Sequence, residues 1–285
     1  MPTRRQRRIL NRNRDGAGAA MSNASLVSIR DVSFKHASLP ADSPDILRDL
    51  SLSLVRGEFM CILGPSGCGK TTVLNLIAGF ESPTAGSIHM DGRPIDGPGV
   101  ERGVVFQGDD SLYHWLTAQA NVEFGLRVSG MKKTERAAKA RQYLALVGLR
   151  GQEHKYPAEL SGGMKQRVNV ARVLACESKV LLMDEPFGQL DAQTRIVLQD
   201  ELATIWQKTQ RTVFFVTHDI AEAITLADRI VVLKRGPRSN VKEIVNCDLD
   251  RPRDRSNPRF GELYSRISSL IADEVLGVQT DRVTS

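Results

Sequence analysis

Nine consecutive residues in the first third of the chain have the types and spacing that bind phosphate. They fit the pattern Gly-x-x-x-x-Gly-Lys-Ser/Thr of a phosphate-binding loop, and they are Gly64, Pro65, Ser66, Gly67, Cys68, Gly69, Lys70, Thr71 and Thr72. Glycine tolerates positive φ angles, so the backbone can turn its N–H groups toward an anion. Lys70 can then reach the β- and γ-phosphates of a nucleotide, and Thr71 can ligate Mg²⁺. The loop therefore predicts nucleotide binding without specifying a reaction.

The residues around this loop predict the elements that such a loop requires. The apolar run at 59–63 predicts a strand before it, and residues 73–79 predict a helix after it. The positive N-terminal end of that helix attracts phosphate. A glycine-rich turn that fits the pattern by chance is the alternative, and the flanking strand and helix disfavour it.

A second motif places two carboxylates directly after an apolar run. Residues 180–183 are Val-Leu-Leu-Met, which is typical of a buried strand in a parallel sheet, and Asp184 and Glu185 follow. Ligands of open α/β sheets bind at the carboxyl ends of the strands. Asp184 is suited to holding Mg²⁺, and Glu185 to polarising an attacking water molecule. The alternative is a plain helix start, since Asp-Glu-Pro favours helix N-termini.

A third motif predicts another helix N-terminus that is open to phosphate. Ser161 can cap the helix, while Gly162 and Gly163 expose its N–H groups. An ordinary N-cap that contains glycine is the alternative. A chain that binds one nucleotide does not need two such sites.

Strand and helix patterns alternate through most of the chain, which predicts an α/β fold. Strands are predicted at residues 26–36, 46–55, 58–63, 87–90, 103–106, 180–183, 212–216 and 229–233. Helical character is predicted between 111 and 175, including 132–146 and the stretch after Gly163, and again at 192–207 and 220–227. Beyond residue 250 one amphipathic helix is predicted, with an apolar face of Phe260, Leu263, Ile267, Leu270 and Ile271.

Composition and charge exclude several classes of protein. The 285 residues are 41% apolar and 25% charged, as in ordinary globular proteins. The net charge is +6, but residues 1–20 hold six arginines and one aspartate and supply +5 of it. The nearly neutral remainder argues against an electrostatic nucleic-acid surface. No apolar run approaches the ~18 residues of a membrane span, and four cysteines without C-x-x-C spacing fit a reducing cytosol.

The N-terminal segment differs in composition from everything that follows. Residues 1–24 are rich in arginine and then in glycine, alanine and serine, so we predict a disordered basic tail. This tail lacks the apolar segment of a secretory signal. An arm that binds nucleic acid or anionic lipid is the functional alternative, and a true start at Met21 is another.

Taken in order, the three motifs resemble the ATPase subunit of an ATP-binding cassette (ABC) transporter. Residues 160–166 resemble the signature sequence of that family, 186–191 resemble its D-loop, Gln107 matches its glutamine loop and His218 matches its switch histidine. The resemblance extends from about residue 26 to 233. It implies an α/β fold with a P-loop NTPase (RecA-like) core, an inserted α-helical subdomain at about 108–175 and an antiparallel β subdomain. The implied ATPase domain spans 25–249 and is followed by a C-terminal extension at 250–285.

The resemblance also implies a head-to-tail homodimer that encloses two ATP molecules. Each ATP would lie between the P-loop of one subunit and the signature motif of the other. The residues implied to bind ATP beyond the P-loop are His36, Ser161, Gly162, Gly163 and Asp191, the last from across the interface. The implied catalytic residues are Glu185, His218 and Gln107. The implied Mg²⁺ ligands are Thr71, Gln107 and Asp184.

The adenine contact follows from the register of the first strand. The family places an aromatic residue four positions after a valine, here Val32, and that position is His36. Phe34 falls two positions earlier and is predicted to lie in the strand core. We expect His36 to stack on adenine; the alternative is that the loop at 37–44 shifts the register and leaves His36 in solvent.

Longer runs at 111–126, 183–195 and 201–206 resemble the nitrate/sulfonate/taurine branch of bacterial importers. Two residues depart from that branch: Gln189 replaces a small residue, and His114 replaces a proline before Trp115. The resemblance implies an ATPase at the cytoplasmic face of the inner membrane. It would work with two integral membrane permease subunits and a periplasmic or lipid-anchored substrate-binding protein, without nucleic acid.

Two alternatives remain at this point. A soluble ABC protein that acts on nucleic acid or ribosomes is the other functional class, although such proteins usually carry two cassettes or a long coiled-coil insertion. Residues 112–126 are expected to form the groove that docks a permease helix. Tyr113 and Trp115 fit either that groove or the core of the helical insert.

Overall fold

A computed structural model describes residues 25–40, 42–106 and 112–281. The strands are β1 Ser25–Phe34, β2 Leu47–Val55, β3 Phe59–Leu63, β4 Ala85–Met90, β5 Arg93–Pro94, β6 Arg102–Val105, β7 Val180–Asp184, β8 Thr212–Val216, β9 Arg229–Leu233 and β10 Val241–Asn246. The helices are α1 Lys70–Ala78, α2 Ala118–Val128, α3 Lys133–Leu146, α4 Gly162–Ala175, α5 Ala192–Thr209, α6 Ile220–Leu226 and α7 Pro258–Asp281, with a 3₁₀ turn at Pro157–Glu159. The predicted basic tail and Gln107 lie outside the described residues.

The central layer is a six-stranded sheet in the order β10-β9-β3-β8-β7-β6. Strands β9, β3, β8, β7 and β6 are parallel, and β10 pairs antiparallel with β9 at the edge. Every residue of β3 and β8 is buried, as expected for strands covered on both faces. Parallel strands all end at one edge, so the residues after β3, β7 and β8 lie at the same edge of the sheet.

Alternate residues of this sheet belong to two separate hydrophobic cores. Met60 and Ile62 of β3 lie in the core that contains α1, whereas Phe59, Cys61 and Leu63 lie in the core that contains α2 to α6. Successive side chains of a strand point to opposite faces. Helix α1 therefore covers one face of the sheet, and α4, α5 and α6 cover the other.

A second, antiparallel sheet completes the core around α1. Its strand order is β2-β1-β4-β5, and its inward side chains, among them Val32 and Phe34, pack with α1. Strand β1 ends at Phe34, two residues before the predicted end, so His36 lies outside the strand. Phe34 is buried in the core, as predicted.

Helices α2, α3 and α4 pack together beside the six-stranded sheet. The segment before α2 is fixed by Asn121, which is fully buried. Its amide donates to the carbonyls of Tyr113, Leu116 and Thr117, and its side-chain oxygen accepts from the Tyr113 N–H. One buried amide thus adds four hydrogen bonds to the backbone of this turn.

Helix α7 packs against the hydrophobic core that contains α2 to α6, beside α6, β9 and β10. Phe260 and Ile267 are buried there, and Leu263, Leu270 and Ile271 are partly buried against the same core. The predicted apolar face of this helix is therefore confirmed. Within the part of the chain that the structure describes, no helix is long and apolar enough to cross a membrane.

Candidate functional site

The phosphate loop connects β3 to α1 and takes left-handed backbone at two glycines. Gly67 has φ 77° and Gly69 has φ 93°, angles that residues with a Cβ rarely adopt. Gly69 is the N-cap of α1, and its carbonyl accepts from the Val73 N–H. The buried Lys70 Nζ folds back over the loop and donates to the carbonyls of Gly64 at 2.9 Å and Pro65 at 3.1 Å. The ammonium group thus lies within the turn that is expected to hold phosphate.

The first residues of α1 meet the end of β7. The Thr71 hydroxyl donates to Asp184, with distances of 3.0 Å to Oδ2 and 3.3 Å to Oδ1. Burial raises the pKa of the Asp184 carboxyl and the nearby Glu185 charge adds to this, while the Thr71 hydrogen bond and Lys70 lower it. Two of the three predicted Mg²⁺ ligands, Thr71 and Asp184, therefore lie side by side next to the phosphate loop; the third, Gln107, lies outside the described residues.

Glu185 and His218 form a pair at the ends of β7 and β8. His218 Nδ1 lies 3.1 Å from Glu185 Oε2, and the His218 side chain is 63% exposed whereas that of Glu185 is 21% exposed. Glu185 has φ 43°, and strained backbone of this kind clusters at active sites. Its N–H donates to the carbonyl of Val216, which holds the turn after β7 against β8. The Glu185 carboxylate therefore follows Asp184 at the end of β7 and lies between the protein interior and the exposed ring of His218.

A buried polar group behind this pair is a feature that sequence reasoning missed. Glu222 of α6 is 4% exposed, and its Oε1 accepts from Gln199 Nε2 at 2.8 Å. Burial raises the pKa of Glu222, and hydrogen bonds from Thr217 and Gln199 partly offset this. In the sequence Glu222 resembles a surface residue of a short helix, because only tertiary packing encloses it.

Ser161 and Gly163 lie at the start of α4, next to α5. The Ser161 hydroxyl accepts from the Met164 N–H at 3.3 Å and so caps α4, as predicted. A Cβ on Gly163 would lie 2.9 Å from Thr194 Cγ2, so glycine permits the close approach of α4 to α5. Asp191 caps α5 by accepting from the N–H groups of Gln193 and Thr194, and these bonds lower its pKa.

The structure does not bring the two phosphate-seeking motifs together within one chain. The P-loop belongs to α1, on one face of the six-stranded sheet, and Ser161–Gly163 begins α4 on the other. By contrast, Thr71, Asp184, Glu185 and His218 lie together at one edge of that sheet. These four residues therefore form one group at the sheet edge, and the signature motif stands apart from it.

The remaining predicted residues lie at the surface or outside the described residues. His36 is half-exposed, with Nδ1 3.8 Å from Glu81 Oε1 and its ring edge-on to Phe34 at 5.0 Å. His114 and Gln189 are both exposed. Tyr113 packs on Phe124 at 4.5 Å inside the helical insert, whereas Trp115 is 72% exposed. Tyr113 is therefore half-buried against the insert, and Trp115 lies at its surface.

Comparison with known proteins bears on what this site does. A family model described as ABC transporter matches residues 47–188. The taurine import ATP-binding protein TauB of Pseudomonas entomophila is 51% identical over 243 residues, which cover 82% of this chain and 93% of the relative. This chain belongs to the ABC transporter ATPase family. The nitrate import ATP-binding protein NrtD of Synechococcus elongatus is 45% identical over 223 residues, covering 76% of this ABC ATPase and 81% of the relative.

A solved ABC cassette shares the fold. The dimeric structure of the cassette MJ0796 in a post-hydrolysis state, bound to ADP and Pi, matches this ABC ATPase with a TM-score of 0.67 and 31% identity. The match covers 78% of this chain and 98% of that one. The predicted fold class, the family resemblance and the ATPase activity are thereby confirmed.

Proposed function

We propose that this chain is the ATP-hydrolysing subunit of an importer for a small anion of the nitrate, sulfonate or taurine type. The ATPase part of the proposal rests on five residues that lie together at one edge of the sheet, which we call the catalytic group: Lys70, Thr71, Asp184, Glu185 and His218. The names of the taurine and nitrate relatives support the substrate class. They favour import over action on nucleic acid or ribosomes.

The residues at the P-loop fit a nucleotide with Mg²⁺. Thr71 and Asp184 supply hard oxygen donors, the kind that Mg²⁺ prefers, and they are in direct contact. Among the described residues, no three His, Cys, Asp or Glu side chains converge on a metal site. Thr71, Asp184 and the proposed ligand Gln107 would hold Mg²⁺ together with phosphate oxygens, and the ion would neutralise phosphate charge.

Hydrolysis transfers the γ-phosphoryl group of ATP to water. We assign Glu185 as the base that accepts a proton from the attacking water, while the bond to the β-phosphate oxygen breaks and ADP leaves. His218 Nδ1 lies 3.1 Å from Glu185 Oε2, and we assign His218 to orient this carboxylate and to contact the γ-phosphate, as the family resemblance implies. Lys70 and the loop N–H groups hold the phosphates. Gln107 is proposed to contact Mg²⁺ and the attacking water, as the family resemblance implies.

A second copy of the chain is proposed to complete each ATP site. Helices α1 and α4 cover opposite faces of the sheet, so one chain cannot place both of its phosphate-seeking termini on one nucleotide. A head-to-tail homodimer would place Ser161, Gly162 and Gly163 of one subunit over the P-loop of the other. Asp191 would approach the interface from the start of α5, and the dimeric MJ0796 cassette supports this arrangement.

The membrane partners are proposed on the same basis. Two permease subunits would form the path through the membrane, and a periplasmic or lipid-anchored binding protein would deliver the anion. The ATPase would then lie at the cytoplasmic face of the inner membrane. Trp115, exposed on the helical insert beside the half-buried Tyr113, is the proposed contact for a permease helix.

Growth of the host tests the import function. Deletion of the gene should abolish growth on nitrate as sole nitrogen source or on taurine or another sulfonate as sole sulfur source, with growth on ammonium plus sulfate unaffected. Wild-type protein should restore growth and Glu185→Gln should not. Unimpaired growth of the deletion strain on all of these compounds would contradict the proposed substrate class, while leaving the ATPase assignment intact.

A further inference from the structure

Three arginines at alternate positions follow β10 and hold α6, the helix that begins two residues after His218. Two of them bond carbonyls of α6 directly, and the third bonds Gln199, which in turn bonds α6. We call Arg251, Arg253 and Arg255 the arginine clasp. Arg251 Nη2 donates to the carbonyl of Leu226 at 2.6 Å and to Asp228 Oδ1 at 2.9 Å. Its guanidinium also lies 4.4 Å from the ring centroid of Trp206 on α5. Arg251 thus connects the end of α6 to α5.

Arg253 also bonds carbonyls at the C-terminal end of α6, and it links them to the residue that follows β10. Its Nη1 donates to the carbonyls of Ile224, at 2.5 Å, and Ala227. Its Nη2 donates to the carbonyl of Cys247 at 2.8 Å. The last carbonyls of a helix have no partner within the helix and carry partial negative charge, so guanidinium groups stabilise them. Two arginines therefore anchor the C-terminal end of α6.

Arg255 is linked to the first turn of α6 through a buried glutamine. Its Nη2 donates to Gln199 Oε1 at 2.5 Å, and Gln199 Nε2 donates to Glu222 Oε1 at 2.8 Å. Gln199 uses both ends of its amide in this chain of bonds and is buried. Glu222 lies four residues after His218, on the first turn of α6 that Asp219 caps.

We propose that the arginine clasp holds α6, and with it His218, in the position that hydrolysis requires. Arg255, Gln199 and Glu222 are then positioning residues that act through His218, and they do not touch ATP. The segment between β10 and α7, which follows the part of the chain with the predicted catalytic motifs, thereby has a role in positioning His218. It rests on the proposed role of His218 beside Glu185.

The test compares Arg255→Ala and Gln199→Met in the full chain with Mg-ATP as the probe. Each variant should lower kcat by about fivefold, the rate equivalent of roughly one net hydrogen bond. The Kd for ATP should stay close to wild type, because the P-loop lies in the other core. The unfolding midpoint should fall in Gln199→Met, which leaves the buried Glu222 without a donor, so kcat is measured at a temperature at which circular dichroism shows each variant fully folded. The double variant should lose no more than either single one, since both changes break the same link. Arg255→Lys should recover part of the rate.

Arg259→Ala is the matched control, because Arg259 is an exposed arginine of α7 that has no side-chain partner among the described residues. Its kcat should equal that of the wild type. The clasp is refuted if His218→Ala abolishes hydrolysis while Arg255→Ala and Gln199→Met match the control. It is also refuted if the losses in these two variants add in the double variant, or if they follow a loss of ATP binding or of folded protein. Full activity of His218→Ala would instead refute the proposed role of His218.

Discussion

Helices α4 and α5 approach each other closely at Gly163 of the signature motif, where a side chain has little room. In Gly163→Ala the new Cβ would lie 2.9 Å from Thr194 Cγ2, whereas carbon atoms prefer about 3.5–4.0 Å. Overpacking of this kind costs ~1–3 kcal/mol, and alanine returns up to ~1 kcal/mol of helix propensity. We expect a net loss of about 1 kcal/mol in the free energy of unfolding.

The methyl group of Thr194 offers a direct way to relieve this clash. Thr194→Ser removes Cγ2 but keeps the backbone N–H that Asp191 accepts, so the double variant should regain most of the lost stability. Because the added Cβ meets α5, any ATP hydrolysis lost in Gly163→Ala should recover in the double variant together with stability. Urea denaturation of the four proteins measures the coupling between the two positions.

Gly261→Ala is the matched control for helix propensity. Gly261 lies in α7, and a Cβ there would have no atom within 4 Å, so this change should stabilise the protein by up to ~1 kcal/mol. The reasoning is refuted if Gly163→Ala lowers the unfolding free energy equally in the wild-type protein and in the Thr194→Ser variant. In that case the distance between Gly163 and Thr194 would not be what requires glycine.

Three further predictions concern the nucleotide and the buried carboxylate. His36→Ala should weaken ATP binding roughly tenfold, the effect of ~1.4 kcal/mol of stacking, and His36→Tyr should at least match wild type by calorimetry; equal affinity of all three proteins would exclude His36 as the adenine contact. Lys70→Ala should abolish ATP binding in the same assay, and retained binding would contradict the P-loop assignment. Burial raises the pKa of Glu222 above 4.5, so its stabilising contribution is complete below that pH and is lost as pH rises through the folded-state pKa. As pH rises from 4.5 toward 8, the unfolding free energy of wild type should therefore fall relative to that of Glu222→Gln. A difference between the two proteins that does not change with pH would contradict this.

The parts of the site that could be predicted from sequence are those encoded by adjacent residues. The glycines at 67 and 69 require a left-handed turn, and the apolar run at 180–183 places Asp184 at the end of a buried strand. Each motif carries its own local geometry, so its element could be predicted without a tertiary structure. The fold class follows from the alternation of such elements.

The parts that could not be predicted depend on contacts between distant residues. Gln199, Glu222 and Arg255 are polar and unremarkable in sequence, and only the packing of α5, α6 and the following segment joins them. Strand β10 carries Lys242 and Glu243 and becomes a strand by pairing with β9 at a sheet edge. The predicted extension of β1 to His36 was wrong, because the Ile46 N–H pairs with the Phe34 carbonyl where the chain leaves the strand.

We propose above all that two copies of this chain enclose each ATP between the P-loop of one copy and the signature motif of the other. Within one copy these two motifs lie on opposite faces of the six-stranded sheet. Size-exclusion chromatography with light scattering on Glu185→Gln tests this proposal most directly, since this change removes the proposed base but leaves the P-loop intact. With saturating Mg-ATP the variant should elute as a stable dimer, and without nucleotide as a monomer. Adding Lys70→Ala to the same variant should leave it monomeric. A Glu185→Gln protein that binds ATP by calorimetry and still elutes as a monomer would contradict the account.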